Sequence, residues 1–181
     1  MTCIVGVVES GAVHIGGDSA GVSGWDLTVR SDPKVFILGS FLIGFTTSFR
    51  MGQLLRFGFA PPERPEDMPI DRYMATLFVD AVRACLKDGG LAKVENGVEA
   101  GGEFLVGHRG RLFYIGSDFQ VGEYASGYIA VGVGDGIAHG ALHATQGMDP
   151  KARVLAALAA AEAHNIGVRG PFTVEVMRGV A

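Results

Sequence analysis

The sequence predicts an α+β fold. Two mainly antiparallel sheets stack face to face with helix pairs outside them, a four-layer αββα sandwich over one domain, residues 1–181. Three observations predict it. Residues 2–8 (TCIVGVV) are a nearly continuous, β-branched run, the pattern of a strand covered on both faces. Strands come in blocks joined by tight, Gly-containing turns. Helices come in pairs between those blocks, so the strand–helix alternation of a doubly wound sheet is absent. A helix pair covers one face of a sheet, and the other face then needs a second sheet.

In chain order, the run 2–8 turns at Glu9-Ser10-Gly11 and returns as the strand AVHIGG at 12–17. Residues 18–33 are polar and Gly-rich, a loop or irregular hairpin. KVFIL at 34–38 and FLIGF at 41–45 pair across Gly39-Ser40. Ser48 caps a short helix with Met51, Leu54 and Leu55 on one face. A Pro-rich connector at 60–69 leads to a helix capped by Asp71, with the stripe Met74, Leu77, Phe78, Ala81, Val82 and Cys85, closed by Gly89-Gly90. After a polar stretch, EFLVGH and RLFYIG flank Arg109-Gly110. GYIAVG at 127–132 precedes a helix capped by Asp135, and Asp149-Pro150 opens another over 150–165. PFTVEVM is the closing strand.

Composition narrows the function. Charged residues make up only 19% of the chain, so several faces are buried or covered by partners. The net charge is −4 and no basic stripe is present, which argues against nucleic acid. Apolar stretches are too short for a membrane span. Two cysteines, Cys3 and Cys85, make no disulfide framework, and the start of the chain lacks signal-peptide character, so a cytoplasmic protein is expected.

The candidate chemistry starts at Thr2. Methionine is generally removed before a small residue such as threonine. Thr2 then carries a hydroxyl beside a free α-amine, whose unperturbed pKa is about 8. A threonine hydroxyl paired with its own N-terminal amine is a known nucleophile–base arrangement. Asp18 ends the second strand and Lys34 begins the third. If 2–8 and 12–17 form a hairpin, Asp18 returns beside Thr2, and Lys34 reaches the same place. A lysine there favours the deprotonated hydroxyl through its charge, and the aspartate holds that lysine charged and oriented.

The pattern Thr2, Asp18 in GGDSAGVSG and Lys34 in KVFIL resembles the proteasome β-subunits of the N-terminal-nucleophile hydrolases. Their N-terminal Thr is followed 16 residues later by Asp and 32 residues later by Lys, the spacing found here without a gap. The resemblance covers 1–50 and 127–147, including AVGVGDGIAHGALHA where the family has an IGSGS-type loop. It implies a threonine-type peptide hydrolase with an acyl-enzyme mechanism, with Thr2 as nucleophile supported by Asp18 and Lys34. The oxyanion donor is implied to be the Ser48 N–H, where the family has glycine. Asp135 and Asn165 are possible supports, and Val22, Thr46 and Arg50 are implied to line a substrate pocket. That chemistry needs no metal or organic cofactor. The resemblance further implies peptide or protein substrates and a homo-oligomeric ring; it names no unfoldase partner.

Two family hydroxyls, which help to hold the amine, fall on Val133 and Val168. They motivate two alternatives: a catalytically silent, proteasome-like subunit with a structural or peptide-binding role in a ring or shell, or a small-molecule amidase of the same superfamily. Bland readings apply elsewhere. Cys3 lies inside a buried strand and reads as core. His139 and His143, four apart on a helix, lack a third ligand and read as surface or interface residues. Glycines 132, 134 and 136 make only a weak nucleotide fingerprint. Arg50 fits either a pocket favouring an acidic or polar residue or a surface salt bridge.

Overall fold

A computed structural model describes residues 1–91, 93–95 and 97–179. Strand β1 (Cys3–Glu9) pairs antiparallel with β2 (Ala12–Gly17). A protruding hairpin, β3 (Ala20–Ser23) and β4 (Asp26–Val29), follows, and then β5 (Val35–Leu38) and β6 (Phe41–Phe45). Helix α1 (Phe49–Phe57) precedes α2 (Ile70–Tyr73), which runs through a π-helical turn (Met74–Phe78) into α3 (Val79–Asp88). The second half contains β7 (Lys93–Glu95), β8 (Val98–Ala100), β9 (Phe104–His108), β10 (Arg111–Ile115), β11 (Val121–Gly122) and β12 (Tyr128–Gly132). Helices α4 (Asp135–Ala144) and α5 (Pro150–His164) lead to β13 (Thr173–Arg178).

The larger sheets are antiparallel, in the orders β12-β1-β2-β13 and β11-β10-β9-β6-β5. The mixed composition of helices and antiparallel sheets is the one the sequence predicts. Alternation along β1 explains its burial on both faces. Cys3, Val5 and Val7 pack with Val154, Ala157 and Leu158 of α5. Ile4 joins a different cluster with Ile15, Leu42 and Leu105, drawn from both sheets. A third cluster packs Ile43, Phe45, Val106 and Phe113 against Met51, Leu55, Phe78 and Val82 of the helices. Glycine sets the spacing at two of these contacts. A Cβ on Gly44 would lie 2.7 Å from both Ile4 and Ile15, and one on Gly16 would lie 2.3 Å from Val154. Neither position has room for a side chain.

Ser48 caps α1 as predicted, its hydroxyl accepting from Arg50 N. Two other caps differ. The 70–88 helix begins one residue before Asp71, with Pro69 at the cap position, so Asp71 sits in the first turn. Gly134, not Asp135, caps α4, and Asp135 accepts from Gly136 N. Both acids still favour the positive helix N-terminus by charge. Of the predicted stripe, Met74, Phe78 and Val82 are buried and Ala81 and Cys85 pack partly buried on the same core, but Leu77 is exposed, and Tyr73, Val79 and Leu86 are buried besides. Leu77 lies in the π turn, Met74–Phe78. The polar stretch before β9 contains the β7–β8 hairpin, and β11 is a further short strand.

Candidate active site

The hairpin register brings the site together. Ile4 pairs with Gly17, so the end of β2 lies beside the start of β1. Cys3 N donates to Asp18 Oδ1 at 3.0 Å, and Asp18 N donates to Cys3 O at 3.3 Å. Lys34 immediately precedes β5 and is tied to its neighbour by Phe45 N donating to Lys34 O. Gly17 lets Ile4 and Val35, the neighbour of Lys34, pack closely, since a Cβ there would meet them at 2.8 and 3.0 Å.

Lys34 Nζ donates to Thr2 Oγ1 at 2.9 Å and to Asp18 Oδ1 at 2.9 Å. All three residues are buried, Lys34 to 1% exposure. Burial pulls the Lys34 pKa below the ordinary lysine value, and the Asp18 carboxylate works against that shift. Asp18 Oδ2 accepts from Ala20 N at 2.9 Å and Arg169 N at 3.4 Å. The carboxylate therefore fastens β1, the start of β3 and the 165–171 loop to one point. Ser19 reinforces this, its N–H donating to Arg169 O and its hydroxyl to Pro171 O. Ser19 and Arg169 were absent from the sequence-based site; only the position of Ser19 next to Asp18 hinted at it.

The Thr2 hydroxyl accepts from Lys34 and donates to the Met1 carbonyl. With Met1 in place the Thr2 nitrogen is an amide and not a base. Cys3 is fully buried, and burial, with Asp18 and Asp135 nearby, pushes its thiol up to about 12. It is core, as the sequence suggested.

Other expected site residues lie differently. Ser48 N–H donates to Thr46 O at 2.7 Å, across a γ-turn in which Thr47 takes φ +64°. The expected oxyanion donor is thus already engaged. Asp135 is exposed and bonds only its own helix turn. Asn165 uses both ends of its amide elsewhere: Nδ2 donates to Val133 O at 2.7 Å and Oδ1 accepts from Gly167 N at 2.8 Å. Val168 is buried against α4 and α5.

A cavity of about 220 Å³ opens beside Thr2, lined by Val22, Thr28, Arg30, Thr46 and Phe49 among others. Val22 and Thr46, expected in a substrate pocket, both line this cavity. Arg50 does not line the cavity and makes no ion pair among the described residues. The arginine at the cavity is Arg30, 3.9 Å over the Phe49 ring and held by both oxygens of Asp32 at 2.7 Å. His139 and His143 are occupied by hydrogen bonds, and no metal-holding cluster exists among the described residues. Nor is any described helix long and apolar enough to cross a membrane.

Neither a protein-family model nor a curated protein matches the sequence. Solved structures do match in shape. BPH from Thiobacillus denitrificans in complex with epoxomicin superposes with TM-score 0.83 at 19% identity, covering 99% of this chain and 100% of that one. HslV from Trypanosoma brucei superposes with TM-score 0.69 at 19% identity, covering 97% and 99%. The chain has the fold of the proteasome-type N-terminal-nucleophile hydrolases. At 19% identity the likeness is one of fold. On that fold the three buried polar residues sit at the open end of β1, where the first residue of a processed chain would be free.

Proposed function

We propose that the protein is a threonine-type peptide hydrolase whose nucleophile is Thr2 after Met1 is removed. One observation carries this reading: a buried lysine ammonium stands 2.9 Å from both the Thr2 hydroxyl and the Asp18 carboxylate. A salt-bridged lysine aimed at a hydroxyl stabilises the alkoxide that attacks. In the proposed cycle Thr2 Oγ bonds the carbonyl carbon of the substrate, and its proton passes to the Thr2 amine. The tetrahedral intermediate collapses, the C–N bond breaks, and the amine returns the proton to the leaving nitrogen. Water then hydrolyses the ester and restores Thr2. In this proposal the Ser48 N–H serves the oxyanion only when it leaves Thr46 O.

The 181-residue chain acts as one four-layer αββα domain in this reading. Its subunits assemble into a homo-oligomeric ring in the cytoplasm and act on peptides or unfolded proteins. The low charged fraction of the chain, 19%, supports assembly, and so does the fold shared with HslV. A second reading, a catalytically silent subunit, is favoured by two facts: the Ser48 N–H is engaged, and Val133 offers the amine no hydrogen bond.

Peptide hydrolysis across a pH series separates the two readings. Protein with a free Thr2, verified by mass, should cleave an unstructured peptide with a bell-shaped profile. The acid limb reports protonation of the Thr2 amine, ordinarily near about 8. The alkaline limb reports loss of the Lys34 charge, and it falls below the ordinary 10.5 because burial lowers that pKa. No turnover at any pH, with Thr2 free, selects the silent subunit.

A further inference from the structure

A second cavity, of about 860 Å³, lies at the end of the strands opposite to Thr2. The β5–β6 turn at Gly39-Ser40, the β9–β10 turn at Arg109, the end of β13 and the Pro-rich connector surround it. Strand register gathers these parts: Phe41 pairs with His108 and Arg178 with Ala12, whereas Lys34 and Asp18 stand at the other ends of β5 and β2. Its floor is aromatic. The His108 ring stacks on Phe41 at 4.1 Å and 9°, with the Tyr73 ring at 6.2 Å, and Phe41 rests on buried Phe78 at 4.9 Å. A bond of 2.9 Å between His108 Nδ1 and Ser40 O fixes the imidazole. Burial, with Arg109 and Arg64 nearby, lowers the His108 pKa, so the positive charge of the cavity at neutral pH comes from arginine. Half-buried Leu38, Pro61, Pro62 and Met177 supply apolar walls.

The charge stands at the rim. Arg109 and Arg178 are exposed, and their segments touch: a Cβ on Gly179 would lie 3.0 Å from Gly110 N and 3.1 Å from the Arg109 carbonyl carbon. Neither guanidinium forms an ion pair among the described residues, although Glu63 and Glu66 also line the cavity. Arg64 has a different task, donating from Nη1 to the carbonyls of Pro65, Glu66 and Met68 and so holding the connector in place. We infer that this cavity binds a small organic monocarboxylate with an apolar body. The carboxylate meets Arg109 and Arg178, and the body lies against Leu38, Pro61 and Met177 over the Phe41–His108 floor. Two like charges on touching segments repel, and an anion placed between them removes that repulsion. Guanidinium also matches a carboxylate with two parallel hydrogen bonds. Glu63 and Glu66 repel a second negative charge, which disfavours dicarboxylates. A concave, partly apolar site of this volume with a few convergent polar groups is the usual form of a small-molecule site. It is a strand's length from Thr2, so the inference does not depend on whether the chain hydrolyses peptides.

Equilibrium dialysis of the full chain against labelled 3-phenylpropionate tests the site, with 3-phenylpropionamide as the neutral analogue. The acid should bind saturably at one site per chain, and the amide about tenfold more weakly or worse, the scale of a lost hydrogen bond to a charged group. Replacing Arg109 and Arg178 together by alanine should weaken the acid by a similar factor and leave the amide unchanged. Ser40→Glu, on an exposed turn at the cavity edge, adds a repelling charge without touching the core, and should also weaken the acid. Lys34→Ala should leave binding as it is. No saturable binding of the acid, equal affinity for acid and amide, or affinity unmoved by both the arginine and the Ser40 variants overturns the inference. Loss of binding in Lys34→Ala does so too, because it places the acid in the 220 Å³ cavity beside Thr2. None of these outcomes bears on peptide hydrolysis, so the two proposals fail separately.

Discussion

Replacing Lys34 by alanine should lower the rate of acyl-enzyme formation by about 10²- to 10⁴-fold, the range of a positioned acid–base group. The effect should fall on kcat more than on KM, because Lys34, although it lines the cavity, is bonded to the reacting Thr2 hydroxyl. Folding should suffer less. Asp18 would lose its lysine but keep hydrogen bonds from the N–H groups of Cys3, Ala20 and Arg169. Single-turnover kinetics beside urea unfolding separates the two effects. A rate loss below about tenfold would make Lys34 a structural residue and not a participant.

Asp18→Ala should act in the opposite proportion. It removes the only carboxylate paired with Lys34 among the described residues and strands three N–H groups from three segments. Breaking a buried ion pair from one side costs about 3–5 kcal/mol, because the remaining charge stays buried without a partner. The lysine can relieve part of that by losing its proton, which burial already favours. Thr2 then faces a neutral amine, so the activity falls as well. Urea denaturation should show the midpoint move with little change in slope. A loss of less than about 1 kcal/mol, the scale of an exposed pair, would contradict the fastening role given to Asp18.

The contrast between these residues and the rest of the site shows what a linear sequence carries. Thr2, Asp18 and Lys34 were legible because their spacing depends on one short hairpin and the strand that follows it. Once β1 and β2 pair, Ile4 against Gly17 fixes the neighbours of Thr2. The burial of β1 was legible for a similar reason, since its unbroken apolar run has no polar face to turn to water. Arg30 was not legible, because it reaches the cavity only when the β3–β4 hairpin and α1 come together. Its Phe49 partner and its Asp32 clamp become meaningful only in three dimensions. Arg50 lies nearer to Ser48 in sequence and drew the expectation, but the arginine that lines the cavity is Arg30. That the Ser48 N–H is engaged by Thr46 O was not legible, for a local reason. Its direction depends on Thr47 adopting φ +64°, a conformation that β-branched residues rarely take. The one exposed member of the 70–88 stripe, Leu77, falls in a π turn that a period of 3.6 residues does not contain.

The departures also bear on rate. Asn165, read as a partial support for the amine, instead joins the Val133 carbonyl to the Gly167 N–H. The positions that weaken the resemblance thus have structural work of their own. The Lys34–Asp18 pair does not depend on either of them.

The nucleophile itself is tested most directly by covalent labelling. Epoxomicin, held by the Thiobacillus denitrificans relative in fold, is the natural probe. Protein with Met1 removed is incubated with it, digested and mapped by mass. One adduct per chain is expected, on the peptide that begins at Thr2, absent from Thr2→Ala and from protein that keeps Met1. An adduct on Cys3 or elsewhere, or equal labelling of chains that keep Met1, would contradict Thr2 as the nucleophile.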